Sequence, residues 1–79
     1  MNNLTVQVKQ ATITYPHGFP QMLKMSEQEF VSELQFLAAA KLYELGRLSS
    51  GNAAQLAGME RSLFLQRLSQ IGVAAINLT

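Results

Sequence analysis

The sequence predicts a small α+β domain that is mainly α, with terminal strands, one long helix and a helix-turn-helix. Three observations predict this class. Apolar and polar residues alternate over residues 4–15, a capped helical segment fills 26–46, and apolar residues recur at helical spacing around a glycine within 48–72. We therefore divide the 79 residues of this single domain into a strand and loop arm (1–25), a long helix (26–46), a helix-turn-helix (48–72) and a terminal strand (73–79).

The N-terminal arm is expected to form one or two strands. Apolar residues occupy even positions from Leu4 to Val8 and odd positions from Ala11 to Tyr15. Because successive side chains of a strand point to opposite faces, this change of phase requires a bulge or two separate strands. Prolines and a glycine between residues 16 and 20 then end any strand. The C-terminal residues 73–79 are also extended in character, and would pair with an N-terminal strand of the same chain or of a partner.

Ser26 is expected to begin the long helix. Ser26 and Glu29 have the spacing of a capping box, in which each side chain satisfies a free backbone N–H at the helix start. Gly46 supplies the stop, because glycine readily adopts the left-handed conformation that follows a helix. The helix is therefore predicted to span about Glu27 to Leu45.

This helix carries apolar residues on two opposite faces. The first face holds Phe30, Val31, Leu34, Leu37, Ala38, Leu42 and Leu45, and the second holds Phe36, Ala39, Ala40 and Tyr43. A domain of 79 residues has little mass with which to bury both faces. We therefore expect a homodimer, with Phe36, Ala40 and Tyr43 as candidate interface residues. The alternative is that the N-terminal strands of the same chain cover the second face.

Residues 48–72 have the spacing of a helix-turn-helix. If Ser50 opens the first helix, Ala53 and Ala54 lie where small side chains let a second helix cross closely, and Gly58 falls in the turn. The second helix would run from about Glu60 to Gln70. Its apolar residues repeat at helical spacing and would bury one side; they are Phe64, Leu65, Leu68 and Ile71. Ordinary helical hairpins show the same spacing, so the pattern alone leaves both interpretations open.

Composition argues against several functional classes. The chain has no cysteine and no aspartate, so disulfides and thiolate metal sites are excluded. The histidine, His17, lies between a proline and a glycine and is interpreted as a loop residue, and the glutamates fit helix surfaces, so we expect neither an enzyme nor a cofactor nor a metal site. Gly46 and Gly51 have the spacing of a phosphate-binding loop, but Asn52 and Ala53 replace its lysine and hydroxyl residue. The N-terminus does not resemble a signal peptide and no apolar run is long enough for a membrane, so we expect a cytoplasmic protein without membrane contact.

If the chain binds DNA, two sets of polar residues are expected to contact it. The formal net charge is only +1, whereas DNA affinity depends largely on lysines and arginines that neutralise phosphates. The residues expected to contact the backbone of double-stranded DNA are Arg47, Ser49, Ser50 and Asn52. Those expected at base edges are Arg61, Ser62, Gln66 and Arg67. The alternative for each residue is a solvated helix face.

The run KLYELGRLSSGNAAQLAGMERSLFLQRLSQIGV closely resembles the signature of the uncharacterised-protein family one-seven-five of small prokaryotic proteins. The resemblance covers about Ser26 to Ile76 and includes the KLY, the serine-glycine link, AAxLAGM and the FL pair. It implies a helix-turn-helix antitoxin, similar to VapB-type partners of nuclease toxins, that binds its own operator as a dimer and neutralises a cognate toxin. In this chain Glu60 follows the GM pair, where family members usually have serine or another capping residue.

Two functional classes therefore remain. The first is a dimeric DNA-binding antitoxin that regulates its own transcription. The second is a small dimeric protein-interaction module that does not bind DNA, in which the helical hairpin and the long helix bind a partner protein. The low charge and Glu60 favour the second class, and the helix-turn-helix spacing and the resemblance favour the first.

Overall fold

The computed structural model describes residues 7–75, which form four helices. These are α1 (Phe19–Met22), α2 (Glu27–Glu44), α3 (Ser50–Ala57) and α4 (Arg61–Gln70). α2 packs mainly against α3, α3 packs against α4, and the short α1 contacts α2. Between residues 7 and 75 there is no strand, so the predicted α+β class is wrong and this part of the chain is all-α.

The predicted strands fail because the described part of the chain offers them no partner. Residues 7–15 have no regular secondary structure, and their backbone makes no hydrogen bond to the backbone of another described residue. Val8 and Ile13 are exposed, whereas Tyr15 at the end of the alternating run is half-buried and packs edge-on against Phe30, with ring centroids 4.7 Å apart. A strand requires a neighbouring strand as well as an alternating pattern. Residues 73–75 are also irregular, and the parts of the two predictions that fall on residues 1–6 and 76–79 lie outside the described residues.

Local capping signals determine both ends of α2. Ser26 Oγ accepts a hydrogen bond from the Glu29 backbone N–H at 3.1 Å, and Glu29 Oε1 accepts one from the Ser26 backbone N–H at 2.8 Å. This confirms the predicted capping box. The helix ends at Glu44, one residue before the predicted Leu45, and Gly46 follows with φ +76°.

The core lies between the second face of α2 and the helical hairpin. Phe64 of α4 contacts Phe36 and Tyr43 in edge-to-face geometry, with ring centroids 5.7 and 6.3 Å apart. Ala53 and Ala54 of α3 are buried in the same cluster, where their small side chains allow close packing of the helices. The core residues are Phe36, Ala39, Ala40, Tyr43, Ala53, Ala54, Phe64, Leu68 and Val73.

The residues expected at a dimer interface lie in the core of the chain instead. Phe36, Ala40 and Tyr43 are buried in the core of the single chain, with Phe36 only 1% exposed. In the alternative, the N-terminal strands would cover these residues, but none of residues 7–15 belongs to the core cluster. α3 and α4 cover them instead, because the hairpin folds back onto α2 through residues 45–49.

Candidate nucleic-acid interface

α3 and α4 form the predicted pair of short helices around Gly58. The turn between them consists of residues 58–60, and Gly58 adopts a left-handed conformation with φ +70°. The N–H of Met59 donates to the Ala54 carbonyl at 2.9 Å, which closes the end of α3. The three-residue turn between α3 and α4, with its glycine, fits the turn of a helix-turn-helix.

The outer face of α4 carries uncharged polar residues together with Leu63, which is 46% exposed. Phe64 and Leu68 hold the opposite face of the helix in the core. Ser62, Gln66 and Ser69 recur at helical spacing on the outer face and are exposed. The Ser69 hydroxyl donates to the Gln66 backbone carbonyl at 2.8 Å, and Gln66 itself is exposed. This face can therefore offer neutral donors and acceptors to a ligand.

Arg61 joins the first turns of the two helices. Its Nε donates to Ser50 Oγ at 2.8 Å, while the residue itself remains exposed. Ser50 is 1% exposed, so its hydroxyl braces the hairpin and does not lie on the surface where a phosphate contact was expected. The two Nη groups of Arg61 form no ion pair with a described residue and can donate to a ligand.

Arg67 belongs to the packing between α2 and α4 and is turned away from the outer face. Its Nη2 donates to Glu33 Oε1 at 3.0 Å, and its Cζ lies 4.0 Å from the centroid of the Phe36 ring. Both the ion pair and the cation–π contact hold the guanidinium against α2. The expectation that Arg67 reads base edges is therefore at odds with its position. Sequence reasoning missed Glu33 and Phe36 as its partners because contacts between residues so far apart in sequence, 34 residues for Glu33, leave no local pattern.

The start of α3 holds the remaining residues expected to contact phosphates. Ser49 Oγ accepts from the Asn52 backbone N–H at 3.1 Å and so caps the helix, which engages its hydroxyl. The Asn52 side chain and Arg47 are exposed, and Arg47 forms no ion pair with a described residue. The hydrogen bond between Ser50 and Arg61 brings the first turns of α3 and α4 next to each other.

Glu60 introduces the one negative charge within the turn. It is the N-terminal flanking residue of α4, and its side chain caps no backbone N–H. Instead Glu60 Oε1 accepts from Ser62 Oγ at 2.7 Å. This carboxylate lies beside Arg61 in the chain and lowers the positive potential at the helix start.

Among residues 7–75, no group of three or more histidine, cysteine, aspartate or glutamate residues is placed to hold a metal ion. His17 is exposed in the turn that precedes α1. None of the helices in this part of the chain has both the length and the apolar character needed to cross a membrane.

The comparisons with known proteins give one family. Neither the curated proteins nor the solved structures contain a match to this chain. The model of the family described as Uncharacterised protein family (UPF0175) matches residues 6–79, which include all four helices. This match covers nearly the whole sequence and agrees with the resemblance of the KLY and LAGM motifs, and the chain therefore belongs to the UPF0175 family.

Proposed function

We propose that this protein binds double-stranded DNA, with α4 in the major groove. The observation that carries the proposal is the outward polar face of α4, which follows the Gly58 turn of a helix-turn-helix. In this motif the second helix enters the groove and its N-terminal residues contact base edges. The apolar side of α4 is fixed in the core, so the face that carries Ser62 and Gln66 is the one left to contact DNA.

Each exposed polar group has a matching chemistry on DNA. The Gln66 amide can pair with N6 and N7 of adenine, since it offers both a donor and an acceptor. The Nη groups of Arg61, which form no ion pair with a described residue, suit guanine or a phosphate. Arg47 and Asn52 suit phosphates near the start of α3. Arg67 is not part of this proposal because Glu33 and Phe36 already engage it.

The wider biological role in the proposal is that of an antitoxin. The resemblance of the KLYELG and AAQLAGM motifs implies a protein that represses its own operator and neutralises a nuclease toxin. Operator binding is the part that this chain's geometry supports, through α3 and α4. Rescue of cell growth by this protein, when a nuclease encoded by a neighbouring gene is expressed, would test the neutralising part.

Fluorescence anisotropy across a salt series tests binding of the protein to DNA from the region upstream of its own gene. A scrambled duplex serves as the control. We expect a preference for the native duplex and an affinity that falls as salt rises, with Arg61→Ala reducing the log–log salt slope by about 1. Gln66→Ala should weaken binding to the native duplex by roughly tenfold and leave the scrambled duplex unaffected. The matched control is Gln28→Ala, an exposed glutamine of α2. Absence of binding to either duplex at low salt would refute the proposal.

The second candidate is a protein-interaction module that does not bind DNA. The ion pair of Arg67 with Glu33 favours it, because this pair removes one arginine from a chain whose net charge is only +1. Glu60 at the start of α4 favours it as well. This candidate predicts that Gln66→Ala leaves cellular function unchanged, whereas the DNA-binding proposal predicts a loss. Gln66 is the discriminating position because Arg61→Ala would also remove the hydrogen bond to Ser50 that braces the hairpin.

A further inference from the structure

An exposed leucine lies among the polar residues on the outer face of α4. Leu63 is 46% exposed and is not among the described hydrophobic residues that form or contact the core cluster, whereas Leu65 does contact this cluster. At about 100° per residue, Leu63 lies roughly 60° around the helix from Gln66 and roughly 20° from Gln70. Both glutamines are exposed. One apolar side chain and two amides therefore share this face of α4.

Both arginines of α4 are held at the edges of the outer face. Arg67 lies against α2, where its Nη2 is 3.0 Å from Glu33 Oε1 and its Cζ is 4.0 Å from the centroid of the Phe36 ring. Arg61 Nε donates to Ser50 Oγ at 2.8 Å, which holds this guanidinium at the start of α3, where contacts with phosphates are expected. Between residues 61 and 70 there is no other basic residue. The outer face therefore lacks the bidentate arginine that most often recognises guanine.

The groups that remain on the outer face match adenine and thymine. The oxygen of the Gln66 amide can accept from N6 of adenine, while its NH₂ group donates to N7. Thymine presents a C5-methyl group in the major groove, and an apolar side chain that covers this group removes it from water. Leu63 offers such a side chain about one helical turn before Gln66.

The spacing of these two side chains suits neighbouring bases. Residues three apart on a helix have their Cβ atoms about 5–6 Å apart. Successive bases along one DNA strand are about 3.4 Å apart. Leu63 and Gln66 can therefore reach the same base pair, or two adjacent pairs, at the same time.

We propose that α4 selects thymine–adenine base pairs, with the Gln66 amide bound to an adenine and the Leu63 side chain in contact with the methyl group of a thymine. This inference rests on the proposed function, DNA binding by α4, and adds the bases that the helix reads. Arg61 and Arg47 then supply affinity through phosphates, which carry no sequence information.

Deoxyuridine in place of thymidine tests the contact of Leu63, because it removes only the methyl group. Fluorescence anisotropy compares the native upstream duplex with the same duplex made with deoxyuridine. The unmodified protein should bind the uracil duplex more weakly, by roughly fourfold for each methyl group contacted. Leu63→Ala should bind both duplexes equally, since alanine is too short to reach a methyl group that leucine covers. Leu63 is exposed and alanine is a good helix former, so the variant should fold, as circular dichroism would verify.

Leu56→Ala is the matched control for this experiment. Leu56 is 39% exposed on α3 and lines a groove with Val31 and Ala38 of α2, so the variant shortens a similar side chain away from the outer face of α4. It should keep the full preference for the thymine duplex. A purely structural role of Leu63 would lower the affinity for both duplexes by the same factor, and that unchanged ratio would overturn the proposal. Equal binding of both duplexes by the unmodified protein would overturn it as well.

Adenine that lacks N7 (7-deazaadenine) tests the contact of Gln66. The unmodified protein should bind a native duplex that carries this base roughly fivefold more weakly, because one hydrogen bond to the amide is lost. Gln66→Ala should bind the duplexes with and without N7 equally, whereas Gln28→Ala should retain the difference. A Gln66→Ala variant that still distinguishes the two duplexes would overturn the assignment of adenine to Gln66.

These outcomes separate the choice of base pair from DNA binding itself. If the unmodified protein prefers the native duplex to a scrambled one but is insensitive to the methyl group and to N7, only the selection of thymine–adenine pairs is wrong. If it binds neither duplex at low salt, the proposed function is wrong and the selection of base pairs is overturned with it.

Discussion

Arg67 lies with its guanidinium carbon 4.0 Å from the centroid of the Phe36 ring, and its Nη2 is 3.0 Å from Glu33 Oε1. One arginine therefore joins α4 to α2 through both a buried ring and a carboxylate. The side chains of Arg67 and Glu33 are each about a third exposed, so solvent weakens the ion pair. We therefore expect the contact with Phe36, which is buried, to contribute more to stability than the ion pair.

Arg67→Ala should lower the free energy of unfolding by about 1–2 kcal/mol, because it removes the cation–π contact and the packing of the side-chain methylenes together with the ion pair. Glu33→Gln keeps the stacked guanidinium and a hydrogen-bond acceptor, so its loss should stay near 0.5 kcal/mol or about a third of that for Arg67→Ala. Urea denaturation followed by circular dichroism measures both values. Equal losses would assign the stabilisation to the ion pair and contradict the role of Phe36.

The turn of the hairpin depends on the conformation of Gly58. Its φ of +70° is costly for any residue with a Cβ, although a Cβ there would meet no atom within 4 Å. Gly58→Ala should therefore destabilise the protein by about 1–2 kcal/mol, through backbone strain alone. The measurement is the free energy of unfolding from urea titration.

Gly51 provides the matched control for this turn. It lies in the first turn of α3, and a Cβ there would also meet no atom within 4 Å. Gly51→Ala should stabilise the protein by about 0.5 kcal/mol, since alanine loses less conformational freedom in a helix. If both variants shift stability in the same direction, the left-handed turn does not explain the effect of Gly58→Ala.

The parts of the fold that sequence reasoning predicted are those determined by neighbouring residues. The capping box of Ser26 and Glu29 acts over three residues, and Gly46 and Gly58 each end a helix by their own backbone conformation. Such signals need no knowledge of the rest of the chain. They located α2, α3 and α4 to within about one residue at each end.

The predictions that were wrong concern features that depend on contacts between residues far apart in sequence. Alternation over residues 7–15 is compatible with a strand, but no described segment pairs with it. The two faces of α2 are both apolar, so periodicity could not identify which one α3 and α4 would bury. In the candidate site, Ser50 and Arg67 have types suited to DNA, yet Ser50 is buried and Arg67 is paired with Glu33. Only tertiary contacts distinguish these residues from exposed ones such as Gln66.

Close packing of α3 on α2 gives a third prediction. Ala53 is fully buried between the helices, so Ala53→Leu would force added methylenes into a filled core and should cost about 2–3 kcal/mol. Gln55→Leu places the same side chain on the exposed side of α3 and should change stability by less than about 0.5 kcal/mol. Thermal unfolding measures both, with about 4–8 °C expected for each kcal/mol in a domain of this size. A tolerated Ala53→Leu would contradict the tight contact between α2 and α3.

Glu60 links the stability of α4 to the proposed DNA interface. Its carboxylate makes no cap to the helix backbone, whereas serine is a preferred N-terminal capping residue. Glu60→Ser should therefore stabilise the protein by about 0.5–1 kcal/mol, measured by urea denaturation. It should also strengthen DNA binding at low salt by roughly threefold or more, measured by fluorescence anisotropy, because it removes a negative charge beside Arg61. Glu27→Gln removes an equal charge at the start of α2, away from the hairpin, and should affect DNA binding less. An equal gain from both variants would show that net charge, and not the position of Glu60 at the start of α4, controls the affinity.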